Sequence, residues 1–193
     1  MSQDGKRCAV DVFSDGSCQT HTGIGGWAAV LSTQGFRKEI SGPGYDTTSN
    51  AMELTAILEA LKCLRLQGQC VNVWSDSQNA VGWLTGNYRI KQESIRALVD
   101  AIRQIIRDKG LNVAFHWVKG HTNANADNVI ADRLAEAAMR KAVSVLSGAT
   151  PIPSQAPEFV TQRWAQNQGI PRCPVCTSYH SRSDACIDAG RDY

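Results

Sequence analysis

Four carboxylates stand where separate segments of the chain end or begin. Asp15 follows a short β-rich run in Asp11-Val12-Phe13-Ser14-Asp15-Gly16-Ser17-Cys18. Glu53 lies near the start of an amphipathic stretch, Asn50-Ala51-Met52-Glu53-Leu54. Asp76 ends a second apolar run, Val71-Asn72-Val73-Trp74-Ser75-Asp76-Ser77, and Asp132 sits in a helical segment after Trp117-Val118-Lys119-Gly120-His121. Taken alone, each acid reads as a helix cap or a surface charge, and Asp76 before Ser77-Gln78 suits an N-cap. Taken together they offer metal chemistry. Carboxylates crowded without a cation repel one another and raise each other's pKa. A hard divalent cation bound through oxygen removes that conflict, and Mg²⁺ takes few carboxylates plus waters and substrate phosphate. The expectation is one metal site built from all four acids.

The surrounding pattern must bring them together. Residues 8–14 read as a strand closed by Asp15, and 19–26 as a glycine-punctuated turn. Residues 27–32 and 36–41 read as two further strands joined through Thr33-Gln34-Gly35. Thr48-Ser49-Asn50 is a helix cap, with Glu53 in the place of a capping-box partner. Leu54, Ile57, Leu58, Leu61 and Leu64 then recur at helical spacing as far as Gly68. Residues 70–75 read as a strand and 76–86 as a short helix. Ser94 caps a helix with a stripe of Ile95, Leu98, Val99, Ile102, Ile105 and Ile106, which Lys109-Gly110 stops. A fifth strand covers 111–118 and a last helix 127–146. Three strands can meander antiparallel; the later two return through helical crossovers and so pair in parallel. The fold class expected is α/β: a mixed five-stranded sheet flanked by helices.

With 193 residues the chain can form one full core and an appendage. A net charge of +2 permits nucleic-acid binding only through a local basic patch. No apolar run approaches the roughly 20 residues of a membrane span. The start, Met1-Ser2-Gln3-Asp4-Gly5-Lys6-Arg7, is polar, so a cytoplasmic protein without membrane contact is expected. Seven cysteines, an odd number, point to free thiols in the body rather than a disulfide framework.

The motifs themselves resemble those of type 1 ribonuclease H. The residues that carry the resemblance are Ser14-Asp15-Gly16-Ser17-Cys18, Thr47-Thr48-Ser49-Asn50-Ala51-Met52-Glu53-Leu54, Trp74-Ser75-Asp76-Ser77-Gln78, Trp117-Val118-Lys119-Gly120-His121 and Asn128-Val129-Ile130-Ala131-Asp132-Arg133-Leu134-Ala135. They run in family order from about residue 7 to 146. The resemblance implies a ribonuclease-H-like fold and hydrolysis of the RNA strand of an RNA–DNA hybrid, leaving a 5′-phosphate and a 3′-hydroxyl. It implies two Mg²⁺ ions, with Mn²⁺ as a substitute, held by Asp15, Glu53, Asp76 and Asp132, with Asp15 bridging both. One ion activates the attacking water and the other stabilises the leaving oxygen. His121 is similar to the family's loop histidine that assists proton transfer or product release. Gly16, Ser17, Cys18, Asn50 and Gln78 stand where the family reads the 2′-hydroxyl, and Thr48 where it holds a phosphate of the DNA strand. Trp83 reads either as a stacking platform for that strand or as a core aromatic. The chain is expected to act as a monomer. A catalytically silent nucleic-acid-binding module of the same fold is the alternative. An integrase- or resolvase-like relative would share the acid logic without the Asp-Gly-Ser, Met-Glu-Leu and Lys-Gly-His set.

Three departures from the family pattern bear on binding. Gln19-Thr20-His21-Thr22 replaces an Asn-Pro-containing loop, so His21 takes the place of an RNA contact. Ser49 stands where relatives often carry Asn. Residues 86–94 are short, with only Arg89 and Lys91 as cations where some relatives have a long basic helix. Phosphate neutralisation dominates such binding, so affinity from the core alone should be modest. Asp127 precedes Asp132 by five residues, off its helix face, and suits the helix dipole instead.

A catalytic domain over 1–147 is therefore expected, then a proline-rich linker over 148–157 and an extension over 158–193. The extension carries Cys173-Pro174-Val175-Cys176, His180 and Cys186, a set suited to tetrahedral Zn²⁺ and similar in span to a zinc knuckle. Zinc would supply the stability that so small a segment lacks. Tyr179 is available for stacking on single-stranded nucleic acid. With four Arg, four acids and no Lys, residues 148–193 carry no formal charge, which leaves a protein partner as a rival occupant.

Overall fold

The computed structural model describes residues 9–65, 67–119 and 126–146. β1 (Val10–Gln19), β2 (Ile24–Thr33) and β3 (Phe36–Gly44) form an antiparallel meander. α1 (Ser49–Cys63) crosses to β4 (Cys70–Ser75), which pairs parallel to β1 from Val10↔Val71 to Ser14↔Ser75. α2 (Gln78–Leu84) and α3 (Glu93–Asp108) lead to β5 (Asn112–Trp117), parallel to β4, and α4 (Ala126–Leu146) follows. The five strands make one sheet in the order β3-β2-β1-β4-β5, with β4 and β5 paired in parallel as the crossover argument requires.

Alternation along the strands separates two apolar layers. Val10 and Val12 of β1, Val71 and Val73 of β4, and Leu31 of β2 join Leu54, Ile57 and Leu61 of α1 and Ile95, Val99 and Ile102 of α3 in the main core. On the other face Phe13 and Val30 pack against Ala131 of α4, with Trp74 and Leu134 beside them. Each large side chain fully withdrawn from water contributes roughly 1.5–3 kcal/mol. α1 is buried well beyond one stripe, including Met52, Ala56 and Ala60, because it lies between the sheet and α3.

Several boundaries differ from the sequence expectation, through distant pairing or through competition between neighbouring caps. β1 does not close at Asp15; it continues to Gln19 because β2 pairs with it as far as Gln19↔Ile24. The expected turn over 19–26 shrinks accordingly to residues 20–23. α1 is capped by Thr48, whose side chain accepts from Ala51 N, so Glu53 lies beyond the capping box. It ends at Cys63 rather than at Gly68. α2 is capped by Ser77 and not by Asp76. α3 starts at Glu93, with Gln92 as its N-cap and no side-chain cap bond, so Ser94 is not the cap. Cys18, Cys63 and Cys70 are free thiols, as the odd count implied.

Candidate active site

The β1–β4 ladder stops at Ser14↔Ser75, and the next residues on the two strands are Asp15 and Asp76. The two parallel strands thus deliver two acids side by side where their shared ladder ends. Here β1 runs on to Gln19 paired only with β2, while β4 ends and the chain turns into α2. In α/β sheets, ligands bind at such a switch point.

α1 supplies the third acid through a close approach. A Cβ on Gly16 would lie 2.5 Å from the carbonyl carbon of Met52 and closer still to the backbone nitrogen of Glu53. Only glycine lets β1 touch α1 there, and the contact brings Glu53 over the strand ends. Asp15 and Glu53 are buried and Asp76 is half-buried, and one carboxylate oxygen from each lies within 4.8 Å of the others. Burial, then the neighbouring charges of Asp15 and Asp76, push the Glu53 carboxyl well above the usual range; bonds from the Gly16 N–H and the Ser75 hydroxyl offset part of this. Ser75 Oγ donates to Glu53 Oε2 at 3.5 Å and accepts from Ser77 N at 3.1 Å. Three converging oxygen donors that disfavour each other's ionisation fit a hard divalent cation.

Asp132 lies outside that trio, half-buried on α4. Its neighbour Ala131 is fully buried, against Phe13 and Val30. α4 is seated by a second close approach, since a Cβ on Gly26 would meet the α4 backbone at Ala135, Ala138 and Met139. Asp127 occupies the first turn of α4 and pairs with Arg37 at 3.1 Å, which fits the helix-terminal role expected of it. His121 and the cysteines and histidine of the extension (Cys173, Cys176, His180, Cys186) lie outside the described residues.

The expected substrate contacts border the trio. Gly16, Ser17 and Cys18 continue β1 past Asp15. Ser17 Oγ lies 3.4 Å from Met139 Sδ, and Cys18 Sγ donates to Thr47 O at 3.4 Å, its thiol pushed up by burial. Thr48 is exposed, its hydroxyl oxygen accepting from Ala51 N at 3.2 Å. Asn50 Oδ1 accepts from Asn79 Nδ2 at 3.3 Å, which ties the first turn of α1 to that of α2, where Gln78 is exposed. His21 is exposed in the β1–β2 turn. Trp83 is half-buried and packs on the main core, and its carbonyl accepts from Arg103 at 3.1 Å.

Three residues at the site were not singled out from the sequence: Ser75, Asn79 and Trp117. Trp117 Nε1 donates to the Asp76 carbonyl at 3.0 Å. Serine, asparagine and a strand-end tryptophan carry no periodic signal. The one available clue was position: Ser75 and Trp117 stand inside the motifs without a role of their own, and Asn79 follows one.

Sheet order and acid placement define the class: a ribonuclease-H-like fold with a carboxylate cluster at its switch point that fits a divalent cation. The RNase H family model matches residues 7–140. A ribonuclease H of Francisella philomiragia is 35% identical over 156 residues, covering 74% of this chain and 96% of the relative. Another, of Ruthia magnifica, is 33% identical over 144 residues, covering 67% and 94%. Among solved structures, the N-terminal RNase H domain of a Mycobacterium tuberculosis protein superposes with TM-score 0.63 at 23% identity, covering 74% of this chain and 99% of that one. A compost-derived RNase H1 in complex with an RNA/DNA hybrid does so with TM-score 0.59 at 25% identity, covering 70% and 99%. The chain belongs to the ribonuclease H family, in its type 1 form, and is an enzyme of that family.

Proposed function

We propose that this chain hydrolyses the RNA strand of RNA–DNA hybrids, leaving a 5′-phosphate and a 3′-hydroxyl. The observation that carries the reading is the convergence of Asp15, Glu53 and Asp76 oxygens within 4.8 Å. The family relationship and the hybrid-bound structural neighbour support the substrate. Asp15, Glu53, Asp76 and Asp132 hold Mg²⁺, or Mn²⁺ in its place. Bound divalent cations supply an activated water and charge stabilisation at the leaving oxygen. Burial and the facing Asp15 and Asp76 push the Glu53 carboxyl up, and a bound cation would favour its ionised form. Asn50 and Gln78, on joined first turns, read the 2′-hydroxyl together with Gly16, Ser17 and Cys18. Thr48 holds a DNA-strand phosphate, and His121 moves a proton or helps product leave.

The test is cleavage of a labelled hybrid with Mg²⁺ or Mn²⁺, alongside all-DNA and all-RNA duplexes and the Asp76→Asn variant. Hybrid-specific cutting lost in Asp76→Asn supports the reading. A folded protein that binds hybrid and cuts with neither cation is instead a silent binding module.

For the rest of the chain we propose a catalytic domain over 1–147, a linker over 148–157 and an extension over 158–193. In the extension Cys173, Cys176, His180 and Cys186 hold one Zn²⁺ and add affinity for single-stranded nucleic acid or a protein partner. Zinc stoichiometry of the purified chain tests the ligand set, and unchanged KM and partner binding after truncation at Leu146 would sink the handle. Among the described residues no helix is long and apolar enough to cross a membrane. The proposed setting is a monomer in the cytoplasm.

A further inference from the structure

Asp76 sits in a joint of two residues, after β4 ends at Ser75 and before α2 begins at Gln78. The last register pair of the β4–β5 ladder is Ser75↔Trp117, and Val118 N donates to Ser75 O at 3.0 Å. One residue further on, the indole N–H of Trp117 donates to the Asp76 carbonyl at 3.0 Å. A side chain thus continues the hold of the ladder over the residue that has just left the sheet.

The burial of Trp117 sharpens the point. Two residues earlier on the same strand, Phe115 packs against the main core. Trp117 is 47% exposed, so core packing does not account for a side chain of this size. Its hydrogen bond goes to the backbone of a metal-centre acid and to nothing that merely closes a turn.

We infer that Trp117 is a positioning residue for the reaction: it fixes the Asp76 backbone, so that this carboxylate stays converged with Asp15 and Glu53. The inference rests on reading that trio as the metal centre. A carboxylate hangs on two rotatable side-chain bonds, and a backbone free to swing would spread its oxygens further. Outer partners that orient metal ligands are worth about 10–100-fold in metal affinity or activity when removed. Trp117 acts on a backbone carbonyl, so the lower end is expected.

The experiment compares the full chain with Trp117→Phe, which keeps a ring and removes the N–H. Phe115→Leu serves as a packing control on the same strand. Mn²⁺ binding is measured by calorimetry without substrate, with Asp76→Asn as the baseline for cation held elsewhere. Hybrid cleavage is then measured for kcat and KM. Expected for Trp117→Phe are about tenfold weaker Mn²⁺ binding, a similar loss in kcat and an unchanged KM. Phe115→Leu should lower the melting temperature and leave Mn²⁺ binding alone. Unchanged Mn²⁺ binding in Trp117→Phe overturns the inference. So does a rise in KM alone, which would make Trp117 a stacking contact for nucleic acid. Trp117→Leu also removes the donor and carries the same expectation should the phenylalanine variant not fold. Failure of the wild-type chain to cut hybrid would remove the functional reading instead, and the Mn²⁺ comparison would still decide the role of Trp117.

Discussion

Gly16 and Glu53 are in backbone contact: a Cβ on the glycine would fall on the α1 main chain at Met52 and Glu53. The Gly16 N–H also bonds the Glu53 carboxylate. One residue therefore sets both the distance between strand and helix and the position of the third acid. Replacing Gly16 with Ala should destabilise the fold by about 1–3 kcal/mol through overpacking, and should lower Mg²⁺-dependent cleavage further by displacing Glu53. Thermal unfolding and a cleavage assay on the same sample check it. Wild-type melting and activity would mean that α1 shifts without consequence.

Neutralising a ligand should separate stability from activity. Asp15→Asn removes a charge that faces Glu53, so the cation-free variant should melt higher than the wild type. Its cleavage rate should fall by several orders of magnitude, since cation-held charge stabilisation is worth several kcal/mol and about 1.4 kcal/mol is tenfold in rate. A variant that loses both stability and activity would argue for a structural Asp15.

The pH dependence follows from Glu53. Its folded-state pKa is raised by burial and by Asp15 and Asp76, so the folded chain holds this proton to a higher pH than the unfolded chain. Below the ordinary glutamate range both states are protonated, and the full stability is present. As pH rises through the folded value, ionising a third crowded acid removes stability. Without divalent cation, Glu53→Gln should therefore stabilise the protein more at about pH 8 than at about pH 5. Mg²⁺ should raise the wild-type melting temperature more at the higher pH, where it competes with fewer protons; a hundredfold excess over Kd contributes about 2.7 kcal/mol of stability. Equal shifts at both pH values would contradict this account.

The two acids of α4 should behave differently. Asp127 pairs with Arg37, a partly exposed contact at 3.1 Å, and pairs of that kind contribute about 0–1 kcal/mol. Asp127→Asn should cost little stability and leave cleavage near the wild-type rate. Asp132→Asn should lower kcat by at least about tenfold through lost charge stabilisation. Steady-state kinetics on both variants decides the assignment, and the reverse ranking would make Asp127 the ligand.

How much of this was legible in the chain can be told from particular residues. The helix stripe from Leu54 to Leu64 and the runs around Val12 and Val73 were readable, because burial on one face leaves a periodic trace. The parallel return of β4 and β5 followed from connection length and handedness. The acids were readable as a set only because four motifs occur in order. The end of β1, the cap of α2 and the start of α3 were not. Each is settled by a partner distant in sequence or by competition between neighbouring polar residues. Ser77 rather than Asp76 bonds the Ala80 amide, which leaves Asp76 to converge with Asp15 and Glu53.

By itself the sequence determined which residues can carry the chemistry, and in what order the elements follow, since side-chain type and local periodicity are properties of the chain. Tertiary structure alone decided that Asp15, Glu53 and Asp76 share one place. Convergence depends on the shortness of the β1–β4 ladder, on a glycine that lets α1 touch β1 and on an indole reaching back from β5. Those are distances between residues far apart in the chain, and no local pattern encodes them.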